Sequence, residues 1–130
     1  MQILLPEGWA RPSGYSNGVA ASGRQVFVAG QVGWTPDGRF APDFAGQFRQ
    51  TLANTLAVLA EAGAGPRHIV RMTWYVVDLD EYRAALGDIG PIYREVIGRN
   101  YPAMAVVGVT GLVEPVAKLE IETTAVIPES

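Results

Sequence analysis

Cysteine is absent from the chain. Its absence removes disulfides, thiolate nucleophiles, Cys-based zinc sites and iron–sulfur clusters together, and leaves no cysteine pairing from which to read a redox compartment. Histidine occurs once, as His68. Zinc sites take three or four protein ligands, so no metal site is expected, and His68 reads as a surface or strand-end residue. Lysine also occurs once, as Lys118, and the other basic residues are arginines scattered singly. Ten Lys plus Arg against thirteen Asp plus Glu leave a formal charge of -3. Phosphate binding needs concentrated positive charge, so nucleic acid is not an expected partner. No serine sits in a G-x-S-x-G elbow, and Gly30 and Gly33 lack the leading glycine of a G-x-G-x-x-G turn. Neither a Ser-His-Asp triad nor a nucleotide site is indicated, and no cofactor is expected. Long apolar runs are missing as well. The apolar start MQILL is interrupted by Pro6 and Glu7 and has no basic residue before it, which reads as neither signal peptide nor membrane anchor and places the protein in the cytoplasm.

What is present suits a packed globule. Hydrophobic residues make up 48% and charged residues 18% of 130 residues, enough for one domain, 1–130, with a real core. Gln25 to Ala29 is a β-branched and aromatic run that ends before the turn signal Thr35-Pro36-Asp37-Gly38. After Asp43, a candidate N-cap, Phe44, Phe48, Leu52, Leu56 and Leu59 recur at helical spacing until Gly63. His68 to Val77 alternates as a strand does. Asp78 or Asp80 can cap a helix through Leu86; Gly90-Pro91 then predicts a break, with Pro91 opening a further helical piece over Ile92 to Ile97. Met104 to Val109 and Lys118 to Ile127 read as two last strands. With a short first strand from the N-terminal segment, the order β-β-α-β-α-β-β predicts an α+β sheet with helices on one face.

The alternation places Val70, Met72, Trp74 and Val76 on one strand face. That face is expected to need cover from a homo-oligomer. In the last strand, Leu119 and Ile121 face the core, so Lys118, Glu120 and Glu122 point the other way. A solvated face with cross-strand ion pairs accounts for these three. The functional alternative puts Glu120 in a cleft made with a neighbouring subunit, where a carboxylate orients a water or shuttles a proton.

Several segments together resemble one family: Gly14-Tyr15-Ser16-Asn17, VFVAGQ from Val26 to Gln31, QTLAN from Gln50 to Asn54, LAEAG from Leu59 to Gly63, Pro102-Ala103, and LEIE from Leu119 to Glu122. Their order and spacing, from about Tyr15 to Val126, are similar to those of the Rid family of reactive-intermediate deaminases, also called YjgF or endoribonuclease L-PSP-like. The resemblance implies a chorismate-mutase-like fold: a mixed sheet with two helices on one face, assembled as a homotrimer with a ligand cleft at each subunit interface. It also implies cofactor-free hydrolysis of imines and enamines to a carbonyl compound and ammonia.

By the same resemblance Glu120 positions the attacking water. Tyr15 lines the cleft from a neighbouring chain, and Gly30 and Val106 contribute backbone groups at its floor. Ala29 stands where many members have serine, and Gly90 where asparagine is common. Met104 occupies the place of the arginine that clamps a substrate carboxylate, which assigns the chain to an arginine-lacking subgroup. A thioether cannot replace a guanidinium's bidentate hydrogen bonds. The cleft is therefore expected to be more apolar and roomier, with little hydrolysis of imines from small 2-amino acids. Two other readings stand beside this one. The first is a non-catalytic small-ligand-binding trimer. The second is a pathway-specific deaminase of the aminomuconate type, in which Arg11, Arg24 or Arg94 replaces the lost arginine.

Overall fold

A computed structural model describes residues 1–129. Strands β1 (Gln2–Leu4) and β2 (Gly18–Ala20) pair antiparallel as a separate two-stranded sheet. The main sheet is built from β3 (Arg24–Gln31), β4 (Ile69–Val76), β5 (Ala103–Gly108) and β6 (Leu119–Ile127), in the spatial order β3-β6-β4-β5. The pairs β3–β6 and β6–β4 are antiparallel, whereas β4–β5 is parallel. A parallel pair needs a crossover, and helices α2 (Leu79–Ala84) and α3 (Leu86–Val96) supply it. Helix α1 (Phe44–Glu61) joins β3 to β4 and packs beside α3, giving the α+β architecture with the helices on one face.

Helix α1 forms where its apolar stripe predicts. Phe44, Phe48, Leu52 and Leu59 are buried against the sheet. Asp43 holds the N-cap position, but its side chain makes no capping hydrogen bond. Instead, a buried amide fixes the helix. The Gln47 Nε2 group donates to the carbonyls of Ala41 and Val116, and Gln47 Oε1 accepts from the Lys118 N–H at 2.9 Å. Gly33 lets the chain pass here, since a Cβ at that position would lie 2.5 Å from the Gln47 carbonyl oxygen. One side chain thereby ties the helix to the segment entering β6.

Four sequence expectations change. The face carrying Met72, Trp74 and Val76 is not open, because α1 and α3 cover it within the chain. Phe48 meets Trp74 edge-on at 5.0 Å, and Tyr93 lies 6.3 Å from the same indole. The open face is the opposite one, with Arg71, Thr73 and Tyr75 on β4 and Phe27, 72% exposed, on β3. Next, Gly90-Pro91 does not break the helix. The break falls at Ala85, and Pro91 lies inside α3. Burial of Ile89, Ile92 and Tyr93 on both sides of the proline holds the two halves as one helix despite the lost hydrogen bond. Among the described residues Lys118 makes no cross-strand pair; its Nζ donates to both carboxylate oxygens of Glu81 on α2, at 2.9 and 3.2 Å.

His68, finally, stands at the strand's end but is buried, 8% exposed. Its Nδ1 accepts the Gly65 N–H at 2.9 Å. Burial, with the positive charge of Arg67 second, holds its pKa below the ordinary histidine value. The unfolded chain therefore takes up the proton at higher pH than the folded one. Stability from neutral His68 is complete above about pH 6.5 and is lost as the pH falls through the folded pKa. Thermal melts from pH 7 to 5 are expected to show a falling midpoint, and His68→Gln is expected to flatten that slope relative to the parent.

Candidate functional site

The candidate residues fall into two groups on opposite faces of the main sheet. The first centres on Glu120. Its neighbours Leu119 and Ile121 are fully buried on the helix side, so Glu120, opposite Tyr75 in the register, turns to the open face. Between Val28 and Gln31 the β3–β6 register slips by one residue, a β-bulge that includes Ala29 and Gly30. The glycine is required there, because a Cβ on Gly30 would lie 2.5 Å from Glu120 Oε2. The half-buried carboxylate thus rests over bare backbone. Among the described residues it has neither an ion pair nor a hydrogen-bond partner, whereas Glu122 accepts the Tyr75 hydroxyl. That bond raises the Tyr75 pKa. Ala29 lies alongside, in a shallow hollow with Phe27, Arg71 and Thr73.

The second group lies between the sheet and the crossover helices. Met104 pairs with Met72 in the parallel ladder and shares its helix-facing side. It lines a cavity of about 290 Å³, with Trp74, Tyr93 and Tyr101 as aromatic walls and Tyr82 at the helix side. Tyr93 and Tyr101 stack at 5.5 Å. Burial raises the pKa of Tyr82, and burial followed by Tyr101 raises that of Tyr93, so both phenols stay neutral. The Tyr93 hydroxyl donates to the Asn100 carbonyl at 2.6 Å, which fixes the ring. Trp74 Nε1–H is buried without a partner among the described residues. Such a donor costs about 1–3 kcal/mol if left unpaired.

Gly90 and Arg94, one helical turn apart on α3, form the rim of this cavity. Arg94 lies over the glycine, its Nη1 3.4 Å from where a Cβ would be. It makes no ion pair or hydrogen bond among the described residues, and the adjacent Glu95 is engaged by Arg49 at 2.7 Å. Among the described residues, no carboxylate lines the cavity.

Of the residues singled out from sequence, the fold brings Met104 and Gly90 together, and separately Gly30, Ala29 and Glu120. It does not bring the two groups together within one chain. Tyr15 is 40% exposed and lies outside both hollows, although its neighbours are anchored: the Ser16 N–H donates to the Pro102 carbonyl at 3.0 Å and the Ser16 hydroxyl to the Tyr101 carbonyl. Val106 is partly buried against the core, beside Trp74. Among the three arginines named as replacements, Arg24 donates to the Ala62 carbonyl, Arg11 does not reach the cavity, and Arg94 lines it. A hollow of about 770 Å³ near the N-terminal strand, beside Arg67 and His68, includes none of these residues. Sequence reasoning missed Trp74, Tyr82, Tyr93 and Tyr101 as walls. The only available signal was the concentration of aromatics flanking positions 90 and 104.

The sequence profile of the Endoribonuclease L-PSP family matches residues 9–127. TdcF of Escherichia coli K12, provisionally named a reactive intermediate deaminase, is 32% identical over 108 residues, or 80% of each chain. The crystal structure of YyfB from Yersinia pestis, a Rid family protein of unknown function, superposes with a TM-score of 0.84 at 36% identity, covering 97% of this chain and 98% of that one. Escherichia coli TdcF with bound serine superposes with a TM-score of 0.73 at 29% identity, covering 98% and 100%.

Proposed function

Because the chain belongs to the Rid family, also called YjgF or Endoribonuclease L-PSP, we propose that it hydrolyses a small imine or enamine in a cleft between subunits of a homotrimer. The observation that carries this reading is Glu120, a carboxylate free of partners and seated over the Gly30 bulge. In the proposed reaction Glu120 orients a water and accepts its proton as the oxygen bonds to the imine carbon. The C=N π electrons pass to nitrogen, giving a carbinolamine. Glu120 returns that proton to nitrogen, then takes the carbinolamine's hydroxyl proton and passes it to nitrogen as well, and the C–N bond breaks as the oxygen's electrons form the carbonyl, releasing ammonia. An imine is already electrophilic, so positioning supplies most of what is needed.

Assembly is part of the proposal. Glu120 faces away from the helices and Met104 toward them, so a cleft using both requires the Glu120 face of one chain against the Met104 edge of another. The open face, with exposed Phe27, is available for such contact. TdcF crystallised with serine favours ligands of amino-acid size.

Imines generated in situ from amino acids by an amino-acid oxidase are the test substrates, with keto acid and ammonia followed against a no-protein control. Release above the spontaneous rate is expected, together with a sedimentation-equilibrium mass of three chains. Release equal to the control across a panel of side chains would remove the catalytic reading, and a species near 13.9 kDa would remove the intersubunit cleft.

A further inference from the structure

We propose that Glu122 is a positioning residue: by taking the Tyr75 hydroxyl on the open face of the sheet, it keeps that donor off Glu120 and leaves the Glu120 carboxylate open to a water. The inference deepens the proposed function and rests on Glu120 being the group that orients the water.

The register makes the direction of the Tyr75 hydroxyl informative. Tyr75 on β4 stands directly opposite Glu120 on β6, and Thr73 stands opposite Glu122. Side chains directly opposite each other on one face are nearest neighbours, and diagonal ones lie farther apart. Position alone therefore offers the phenol to Glu120, yet it crosses the diagonal and donates to Glu122. Nothing else in that row supplies a side-chain donor: β5 presents Val107 beside Tyr75, and β3 presents the Ala29–Gly30 bulge. The cations near this face are placed elsewhere. Lys118, two residues before Glu120, gives its Nζ to Glu81 on α2. Arg71 lies opposite Thr124, four residues from Tyr75. Strand β2, which approaches β4, carries no titratable side chain.

Glu120 is thus without a partner because the hydroxyl nearest to it in the register is engaged, and not because donors are missing. The raised pKa of Tyr75 agrees with this direction, since its bond to Glu122 is the largest cause and the charge of Glu120 a lesser one. Released from Glu122, the phenol would find its charged register partner as the next acceptor. A hydroxyl donated to Glu120 would occupy an oxygen that must hold the water. It would also make the carboxylate a weaker base, because a hydrogen bond to the charged form favours that form.

The test removes the acceptor and then the donor. A crystal structure of Glu122→Ala is expected to show Tyr75 Oη against the Glu120 carboxylate at about 2.7 Å. In imine hydrolysis the same variant should lose about tenfold or more in kcat with KM little changed, since a charge-assisted hydrogen bond must now be broken before the water can enter. Glu122→Ala combined with Tyr75→Phe should regain the kcat of Tyr75→Phe alone, a rescue that a merely structural role of Glu122 would not give. Glu122→Gln should fall between wild type and Glu122→Ala, because its neutral oxygen accepts more weakly. Thermal melts check that each variant folds, and Glu122→Gln answers the same questions if Glu122→Ala does not. Tyr75 turned away from Glu120 in the variant structure, kcat unchanged in Glu122→Ala, or a double variant as slow as Glu122→Ala would each overturn the proposal. The two readings fail separately. Wild type without hydrolysis removes the catalytic reading, while the variant structure still decides whether Glu122 restrains Tyr75; hydrolysis that is unchanged in Glu122→Ala removes this proposal and leaves the catalytic one standing.

Discussion

Glu120→Gln is expected to lower imine hydrolysis by about 10²- to 10⁴-fold, the usual range for a positioned acid–base group, while changing folding stability by no more than about 0.5 kcal/mol. The two halves of this expectation come from the same geometry. Glu120 is half-buried, belongs to no ion pair among the described residues, and faces away from the Leu119 and Ile121 core side. The fold therefore has little to lose when the charge is removed. The amide keeps the shape of the side chain but cannot take a proton from water. Gly30→Ala is the companion variant: its Cβ would have to displace the carboxylate, now 2.5 Å from that point, and kcat should fall with the charge still present. Steady-state kinetics with matched thermal melts measure both. Turnover unchanged in Glu120→Gln would return this residue to an ordinary solvated strand face, and unfolding would make it a structural group.

The largest effect on stability is expected at Phe48. Its side chain is fully buried, lies edge-on to Trp74 at 5.0 Å and stacks with Phe44 at 6.5 Å. Phe48→Ala should cost about 3–5 kcal/mol, a large part of the roughly 5–15 kcal/mol that holds a domain of this size. The corresponding fall in melting temperature is on the order of 10–20 °C. Urea unfolding is the direct measurement, with an unchanged m-value showing that the effect is on stability and not on the unfolded state. A loss under about 1.5 kcal/mol would mean that the aromatic wall closes over the gap.

How much of this could be read from the sequence depended on the kind of information each pattern holds. The apolar stripe of α1 fixed both its type and its buried side, since Phe44, Phe48, Leu52 and Leu59 recur at a spacing that only a helix places on one face. Alternation in β4 correctly grouped Met72, Trp74 and Val76 but wrongly added Val70, since the β4–β6 register slips between Ile69 and Arg71 and Ile69 takes the core place instead; a period of two, besides, says which residues share a face and not what covers it. The cover was α1 and α3, distant in sequence, and not another chain. Pro91 was misleading for a related reason: its local cost opposes the helix, whereas the burial of Ile92 and Tyr93 that outweighs it is tertiary. At the site, the orientation of Glu120 followed from Leu119 and Ile121. The bulge that brings Gly30 beneath it depends on the β3–β6 register, which no single segment encodes. The unpaired Trp74 donor was not legible at all, because a missing partner is a property of the packed state.

Lys118 has a consequence for the chemistry the protein is proposed to handle. Imine hydrolysis yields aldehydes or ketones, and these condense readily with exposed neutral amines. The chain has one lysine, and Glu81 grips its Nζ with both carboxylate oxygens in a partly covered position. A released carbonyl can condense with that side chain only after both hydrogen bonds to Glu81 are broken.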